Sequence, residues 1–140
     1  MVAKIAGLVL LGLVLVSASN ANADSDKEQA AISVASAWLT QIDAGKYAES
    51  WDEASGFFQD AIKREQWMHS LEAVRKPLGH VLSREVKNAT YQTSLPGAPD
   101  GEYVVIRFQA SFENKKSAIE TVTPMLEKDG KWRVTGYYIQ

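Results

Sequence analysis

The spacing of apolar residues changes near residue 80 of this 140-residue chain, from the period of a helix to the period of a strand. Ser25 and Glu28 have the spacing of a capping box, which marks a helix start. Gly45 stands where a left-handed residue ends a helix. Between these signals, one apolar stripe of a first helix comprises Ala31, Val34, Ala35, Trp38, Leu39 and Ile42.

Two more helices are predicted before residue 80. The second, in KYAESWDEASGFF, is interrupted by Gly56, and its apolar stripe comprises Tyr47, Trp51, Ala54 and Phe58. The third, in KREQWMHSLEAVRKPLG, has a poorly marked start, because Lys63 occupies a position where a small hydroxyl or carboxylate cap is preferred. It closes at Pro77-Leu78-Gly79, and its stripe comprises Trp67, Leu71, Val74 and Leu78.

The first predicted strand, in HVLSREVKNATYQTSL, alternates imperfectly between apolar and polar residues. A bulge near Lys87 and Asn88 would re-phase the strand, because one extra residue moves every later side chain to the other face. We therefore expect the bulge to bring all of its apolar residues to the core, namely Leu82, Val86, Ala89, Tyr91 and Leu95.

Three further strands complete the predicted sheet. Pro96, Gly97, Pro99 and Gly101 predict turns before the second strand, whose apolar face comprises Val104, Ile106, Phe108, Ala110 and Phe112. In the third strand, proline at position 124 marks an edge or a bulge, because it cannot donate a ladder hydrogen bond. Asp129-Gly130 predicts the hairpin turn that leads to the last strand.

The length of the second strand predicts a curved sheet. About twelve extended residues span roughly 40 Å, whereas a domain of this size has a diameter of roughly 35 Å. The sheet must then curl around the helices. The predicted fold class is α+β, with three N-terminal helices packed on a curved four-stranded antiparallel sheet in a cone-like arrangement.

The first 23 residues have the pattern of an export signal. Lys4 precedes an apolar run from Ile5 to Val16, and ANA at 21–23 offers small residues for cleavage between Ala23 and Asp24. The alternative is an uncleaved anchor, but a spanning helix needs roughly 20 apolar residues. We therefore predict a signal peptide at 1–23, a single domain at 24–140, and a periplasmic or secreted location.

The composition of the chain excludes several classes of bond and of binding partner. The chain has no cysteine, which excludes disulfides, thiolate-bound metal and a lipid-modified cysteine anchor. We therefore expect no membrane association once the signal is removed. The net charge of −2 provides no basic field for nucleic acid. No cofactor and no metal are predicted.

Four stretches carry a resemblance to a known family: WLTQIDAGKYAESWDEAS, REQWMHSLEAVRKPLGHVLSR, SLPGAPDGEYVVIRFQASFENK and ETVTPMLEKDGKWRVTGYYIQ. The chain resembles the bacterial exported family called domain of unknown function 4019 (DUF4019). Its order of elements is also similar to the nuclear-transport-factor-2-like superfamily, which includes isomerases, dehydratases and non-catalytic binding domains. The resemblance implies an exported protein with that fold, and it implies no particular reaction. Members of the superfamily commonly dimerise through the outer sheet face, so a homodimer is one of the expected states.

Candidate catalytic residues are few. His69 lies off the apolar stripe of the third helix, His80 follows its final glycine, and neither has a metal-ligand spacing. Asp52 lies in a charged run that is typical of a solvated helix face. An inward Asp52 would be a plausible base, because burial raises the pKa of a carboxyl. The alternative function is a small isomerase- or lyase-type enzyme that combines Asp52 or His80 with a tyrosine such as Tyr138.

The candidate ligand-binding residues are Trp51, Trp67, Arg107 and Tyr138. Aromatic residues at helical and strand spacing are also typical of plain core, which is the competing interpretation. Arg107 is expected to be either exposed or paired, because an unpaired buried guanidinium would cost several kcal/mol. We expect a cross-strand ion pair with Glu120 or Glu85, with a subunit interface and an anion site as alternatives. The predicted function is a non-catalytic module that binds a small molecule or a protein.

Overall fold

The computed structural model describes residues 18–140. The predicted signal falls almost entirely outside this range, and cleavage between Ala23 and Asp24 stays a prediction. The helices are α1 (Ala18–Asp43), α2 (Tyr47–Asp52), α3 (Gly56–Ala61) and α4 (Arg64–Arg75), followed by a 3-10 turn at Lys76–Leu78. The strands are β1 (Val81–Gln92), β2 (Tyr103–Phe112), β3 (Lys115–Leu126) and β4 (Trp132–Ile139). Within residues 18–140, no helix combines the length and the apolar character needed to cross a membrane.

Helix α1 ends as predicted and begins earlier than predicted. At its end, Gly45 has a φ of +76°, its N–H bonds to the carbonyl of Ile42, and the N–H of Lys46 bonds to the carbonyl of Gln41. This is a Schellman motif, which satisfies carbonyls that a helix end leaves unpaired. Ser25 does not start the helix, because the preceding segment from Ala18 continues the helical turns.

The structure has four α-helices where three were predicted, because the second predicted helix is two short ones. Ser55 interrupts the helical pattern by capping α3: its backbone is extended and its hydroxyl accepts the N–H of Phe58. The next helix, α4, starts after Lys63, whose N–H donates to the side chain of Gln66. That hydrogen bond supplies half of a capping box in the absence of a small polar cap.

The four strands form one antiparallel sheet in the order β1-β2-β3-β4. The predicted bulge in β1 is confirmed as a register shift between Val86 and Asn88. A second shift in β1, between Val81 and Ser83, was not predicted. The side-chain prediction for the start of β1 is wrong, because Leu82 is 64% exposed and Val86 is 42% exposed.

Register shifts occur in every strand pair. The shift between β3 and β4 lies at Thr123/Pro124, which confirms the bulge predicted for that proline. Another lies between Ala110 and Phe112 in the β2–β3 pair. Bulges of this kind bend a strand and increase its local twist.

The helices pack on one face of the sheet, called the inner face here. Helix α1 contacts all four strands, and all four helices contribute to one apolar core. Every inward residue predicted for β2 is buried, and the α1 stripe is buried except for half-buried Val34. The opposite, outer face carries Arg107, Thr121 and Tyr138 in one row, because these residues are cross-strand partners.

Candidate functional site

A network of charged side chains is buried between the helices and the inner face of the sheet. Its centre is Glu120 of β3, which has no solvent exposure. One carboxylate oxygen accepts Nε of Arg84 at 2.7 Å, and the other accepts the hydroxyl of Tyr137 at 2.6 Å. Arg75 of α4 lies 3.9 Å from Glu120 and also stacks its guanidinium 4.9 Å from the ring centre of Phe112. The buried carboxylate is thus paired and hydrogen-bonded.

Asp43, at the end of α1, completes this network. Its oxygens accept Arg84 at 2.6 and 2.9 Å and Arg75 at 2.7 Å. Burial alone would raise the pKa of the Asp43 carboxyl, but the hydrogen bonds from Arg84 and Arg75 outweigh it and lower that pKa below its ordinary value. The network therefore ties the ends of α1 and α4 to β1 and β3 by charge-assisted hydrogen bonds.

Aromatic rings in mutual contact fill the space beside the network. The ring of Trp67 stacks on Trp38 with centroids 6.1 Å apart and meets the edges of Phe58 and Tyr137 at 4.9 and 6.4 Å. Both indole N–H groups bond to Ser50, Trp67 to its hydroxyl at 2.9 Å and Trp38 to its carbonyl at 2.8 Å. Each buried indole thus has the partner that it needs. Trp67 is 7% exposed, so most of its surface is packed in the core.

One apolar groove opens beside this core, between α4 and β4. It encloses about 250 Å³. Two of its residues are large apolar side chains that remain exposed: Val74 by 42% and Tyr138 by 56%. The side chains that line the groove are Trp67, Ser70, Leu71, Val74, Tyr137, Tyr138 and Ile139.

This groove brings together two of the four predicted ligand-binding residues, Trp67 and Tyr138. Trp51 is not among its lining residues: it is half-buried against the core, and its indole N–H donates to the carbonyl of Ile62 at 2.8 Å. Arg107 lies two strands away from Tyr138 on the outer face. The four residues therefore do not form one site.

The ion pair predicted for Arg107 is wrong. Glu120 is the register partner of Phe108, so it points to the inner face, whereas Arg107 is the partner of Thr121 and points to the outer face. Arg84 takes the place next to Glu120. Glu85 also makes no ion pair with Arg107 among residues 18–140. A homodimer through the outer face stays a prediction.

The candidate catalytic side chains face solvent. Asp52 is exposed and is held by Arg64 through two hydrogen bonds of 2.9 and 3.0 Å. Its hydrogen bonds with Arg64 lower the pKa of its carboxyl. His69 is exposed, and the side chain of His80 is 89% exposed with Glu113 at 3.8 Å. The inward orientation considered for Asp52 does not occur.

The family described as "Protein of unknown function (DUF4019)" matches residues 34–137. The chain belongs to the DUF4019 family. The match covers the second half of α1, α2 to α4, β1 to β3 and most of β4. The buried network therefore lies within the family region, and so does the groove except for Tyr138 and Ile139.

Other comparisons are less informative. No curated protein matches this DUF4019 chain. A solved structure titled "2.5 Angstrom structure of from Catenulispora Acidiphila" is similar, with 13% sequence identity and a TM-score of 0.49. The match covers 89% of this chain and 93% of that chain. A likeness at this level carries no argument about function.

Sequence reasoning missed the buried network of this DUF4019 protein, although β3 carries a signal for it. Glu120 alternates with buried Ala118 and Val122, so it shares their face. A carboxylate on an apolar strand face indicates a buried pair, because an unpaired buried charge is too costly. The helical pattern did not indicate that Arg75 is buried near Glu120, because it assigns burial to the preceding residue, Val74.

Two larger clefts of the DUF4019 domain have charged side chains in their linings. One of about 360 Å³ lies between the ends of α1 and α4 and is lined partly by Tyr47, Lys76 and His80. Another of about 700 Å³ lies where the loops before β2 and β4 meet, and there Arg133 pairs with Glu127 and Asp129. Across the described part of the chain, no three metal-ligating side chains cluster.

Proposed function

We propose that this DUF4019 protein is a non-catalytic binding module that acts in the periplasm or after secretion, and that its ligand binds in the groove between α4 and β4. The observation that carries the proposal is the pair of exposed apolar side chains, Val74 and Tyr138, at the rim of one groove. An exposed apolar cluster marks an interaction site more often than an isolated exposed residue does. The floor is fixed, because Trp67 and Tyr137 are held by hydrogen bonds from below.

The alternative, an isomerase- or lyase-type enzyme, needs a carboxylate or histidine beside a phenol. Glu120 and Tyr137 have that distance. However, Glu120 is held by Arg84, and it has no exposed surface through which a substrate could reach it. Burial and the nearby carboxylate raise the pKa of the Tyr137 phenol, so its proton is held rather than exchanged. These contacts favour a structural role for the pair and support binding without chemistry.

We also propose that the domain has the cone-like, nuclear-transport-factor-2-like shape expected from the sequence. The register shifts in all three strand pairs support it, because bulges are a common means of curving a sheet. Helices gathered on one face of the sheet are compatible with the same shape.

Export follows from the pattern of the first 23 residues. Mass spectrometry of the protein recovered from the periplasm or medium should give a chain that begins at Asp24. Replacing the small residue before the cut, Ala23→Leu, should leave the precursor uncleaved, since signal cleavage needs small residues there. A mature chain that retains residues 1–23 would contradict the signal assignment.

The groove is tested by titrating the isotope-labelled domain with two small aromatic probes, indole and p-cresol. Amide shift changes should centre on Val74, Tyr138 and Ile139. Val74→Glu should weaken binding at least fivefold, because it places a charge in the groove. Leu82→Glu is the matched control, since Leu82 is also an exposed aliphatic residue but lies on β1. Shifts centred on the cleft beside His80 instead would overturn the proposal.

A further inference from the structure

We propose that the natural ligand of the groove is an extended polypeptide segment of another protein, which adds to β4 as a fifth strand. This inference rests on the proposed function, because it uses the same groove and names the class of partner. Addition of a peptide to an exposed sheet edge is a recurring recognition mode: backbone hydrogen bonds supply affinity and side-chain pockets supply specificity.

The free edge of β4 supplies the backbone groups. β4 is the last strand of the sheet, and the Gln140 and Ile119 backbones exchange both hydrogen bonds at 3.0 Å. In an antiparallel pair, the direction of the backbone groups alternates from residue to residue. The backbone N–H and C=O of Tyr138 therefore point toward β3. The N–H and C=O groups of Tyr137 and Ile139 point away from the sheet. No other backbone group in residues 18–140 hydrogen-bonds to these two residues.

Other parts of the sheet perimeter carry features that hinder strand pairing. On the β1 edge, the Glu28 carboxylate accepts the N–H of Tyr91 at 3.3 Å, and two bulges interrupt the strand. At the other end of β4, the carbonyl of Val134 accepts the N–H of Ser55. Charges, bulges and covering loops are the usual means of preventing pairing at sheet edges. Among residues 18–140, none of these protections covers the stretch from Tyr137 to Ile139.

The groove lies where the side chains of an added strand would fall. Residues of a new antiparallel strand that pair with Tyr137 and Ile139 would point to the inner face, because cross-strand partners share a face. That face is roofed by α4 through Ser70 and Val74. The residue between them would point outward beside Tyr138. The geometry thus favours a peptide with two apolar residues separated by one residue of any type.

Size argues against a small-molecule ligand. Pockets for such ligands usually enclose about 300–1,000 Å³, and this groove encloses about 250 Å³. It runs along the edge strand β4, which suits two aliphatic side chains of an added strand. A small molecule would also leave the Tyr137 and Ile139 backbone groups without a protein partner.

A second copy of the chain fits poorly as the added strand. The inward residue of its own β4, Tyr137, already packs on Trp38 and Trp67 under its own α4. In a dimer formed through β4, the Tyr137 side chain of the second copy would have to enter the groove under α4 of the first copy. It cannot do so while it packs under α4 of its own copy. The occupant must be a strand whose inward side chains are uncovered, as in an extended segment of a different protein.

The test uses a capped synthetic heptapeptide in which two valines flank a central threonine, with threonine and lysine at each end. Titration into the labelled domain should bind with a Kd below about 1 mM. Hydrogen exchange of the Tyr137 and Ile139 amides should slow at least tenfold, whereas exchange at Tyr138, already bonded to β3, should not change. A matched pair of peptides separates pairing from apolar contact. N-methylation of both valines removes the donors that face β4 and should weaken binding at least tenfold. N-methylation of the central threonine, which faces away, should not.

Each other outcome overturns the inference. If indole and p-cresol occupy the groove but the peptide does not bind, or if both methylated peptides bind equally, the proposed binding function stands and strand addition is wrong. If the Tyr137 and Ile139 amides are already protected in a concentration-dependent manner without peptide, the occupant is a second copy. If neither small probes nor peptide perturb the groove, both proposals fail.

Discussion

The hydroxyl of Tyr137 lies 2.6 Å from a carboxylate oxygen of the fully buried Glu120. Through Glu120, this hydrogen bond links β4 to Arg84 on β1. The next residue, Tyr138, points the other way and is 56% exposed. Two adjacent tyrosines therefore have different roles. Tyr137 is hydrogen-bonded in the interior behind the groove, and Tyr138 forms part of the groove's rim.

Removing the Tyr137 hydroxyl should destabilise the domain. Tyr137→Phe leaves a buried carboxylate with one fewer donor, and hydrogen bonds to charged groups contribute about 1.5–3 kcal/mol. Tyr138→Phe is the control, and its effect should stay within about 0.5 kcal/mol, as for most surface changes. Urea unfolding followed by tryptophan fluorescence measures both. Equal effects of the two substitutions would mean that the Tyr137 hydroxyl is not buried against Glu120.

Neutralising Glu120 should lower the free energy of unfolding more than removing the Tyr137 hydroxyl does. Glu120→Gln leaves the guanidiniums of Arg84 and Arg75 with Asp43 as their one anionic partner among residues 18–140. Breaking a buried ion pair on one side costs about 3–5 kcal/mol, a large part of a typical domain's stability of about 5–15 kcal/mol. Glu85→Gln, on the exposed side of β1, is the matched control and should change little. A loss below about 1 kcal/mol for Glu120→Gln would show that solvent reaches the network.

Acid should weaken the domain partly through Asp43. Burial would raise the pKa of this carboxyl, but hydrogen bonds from Arg84 and Arg75 bring it below the ordinary value of 3.8. A group with a lowered folded pKa stabilises the protein above its unfolded pKa, and that stability is lost as the pH falls below about 4. Unfolding measured from pH 6 to pH 2.5 should therefore show a shallower decline for Asp43→Asn than for the natural chain.

The control for the acid experiment is Asp60→Asn, since Asp60 is exposed and makes no ion pair among the described residues. The Asp60→Asn variant should lose as much stability between pH 6 and pH 2.5 as the natural chain does. The decline should persist in part for Asp43→Asn, because other paired carboxyls such as Glu102 also have a lowered pKa. Identical profiles for the natural chain and Asp43→Asn would contradict the assigned role of Asp43.

Periodicity predicted the parts of this fold that depend on one apolar face. The α1 stripe, the alternation in β2 and the bulge before Asn88 are confirmed because each follows from burying one side of an element. The family resemblance is confirmed as well. The split of the second helix was missed because Ser55 acts as a cap, and one serine in a charged segment gives a weak signal.

The candidate site was predicted only in part, because it depends on contacts between elements distant in sequence. Trp67 and Tyr138 were singled out as aromatic residues, and the fold brings them to one groove. Val74 was assigned to the core by its spacing, yet it is 42% exposed because β4 ends the sheet beside it. Pairing Glu120 with Arg84 required the register of the strands, which no local pattern contains.

Two glycines with similar positive φ angles should respond differently to alanine. Gly45 has a φ of +76° and no neighbour within 4 Å of an added Cβ, so Gly45→Ala should cost only about 1 kcal/mol of backbone strain. Gly79 has a φ of +73° and a ψ of −161°, a conformation that is essentially restricted to glycine. Its added Cβ would also lie 3.0 Å from Cβ of Glu113 and 3.2 Å from Nδ2 of Asn114.

Relief of that contact would move the turn between β2 and β3. Glu113 accepts the N–H of His80, and Asn114 donates to the carbonyls of Pro77 and Leu78, so a shift would disturb the hydrogen bonds that hold the end of α4 to the sheet. Gly79→Ala should therefore lower the free energy of unfolding by about 2–3 kcal/mol. Chemical denaturation of both variants measures the difference. Equal losses would mean that the turn moves freely, and the end of α4, with Arg75, would then be less firmly held than the contacts indicate.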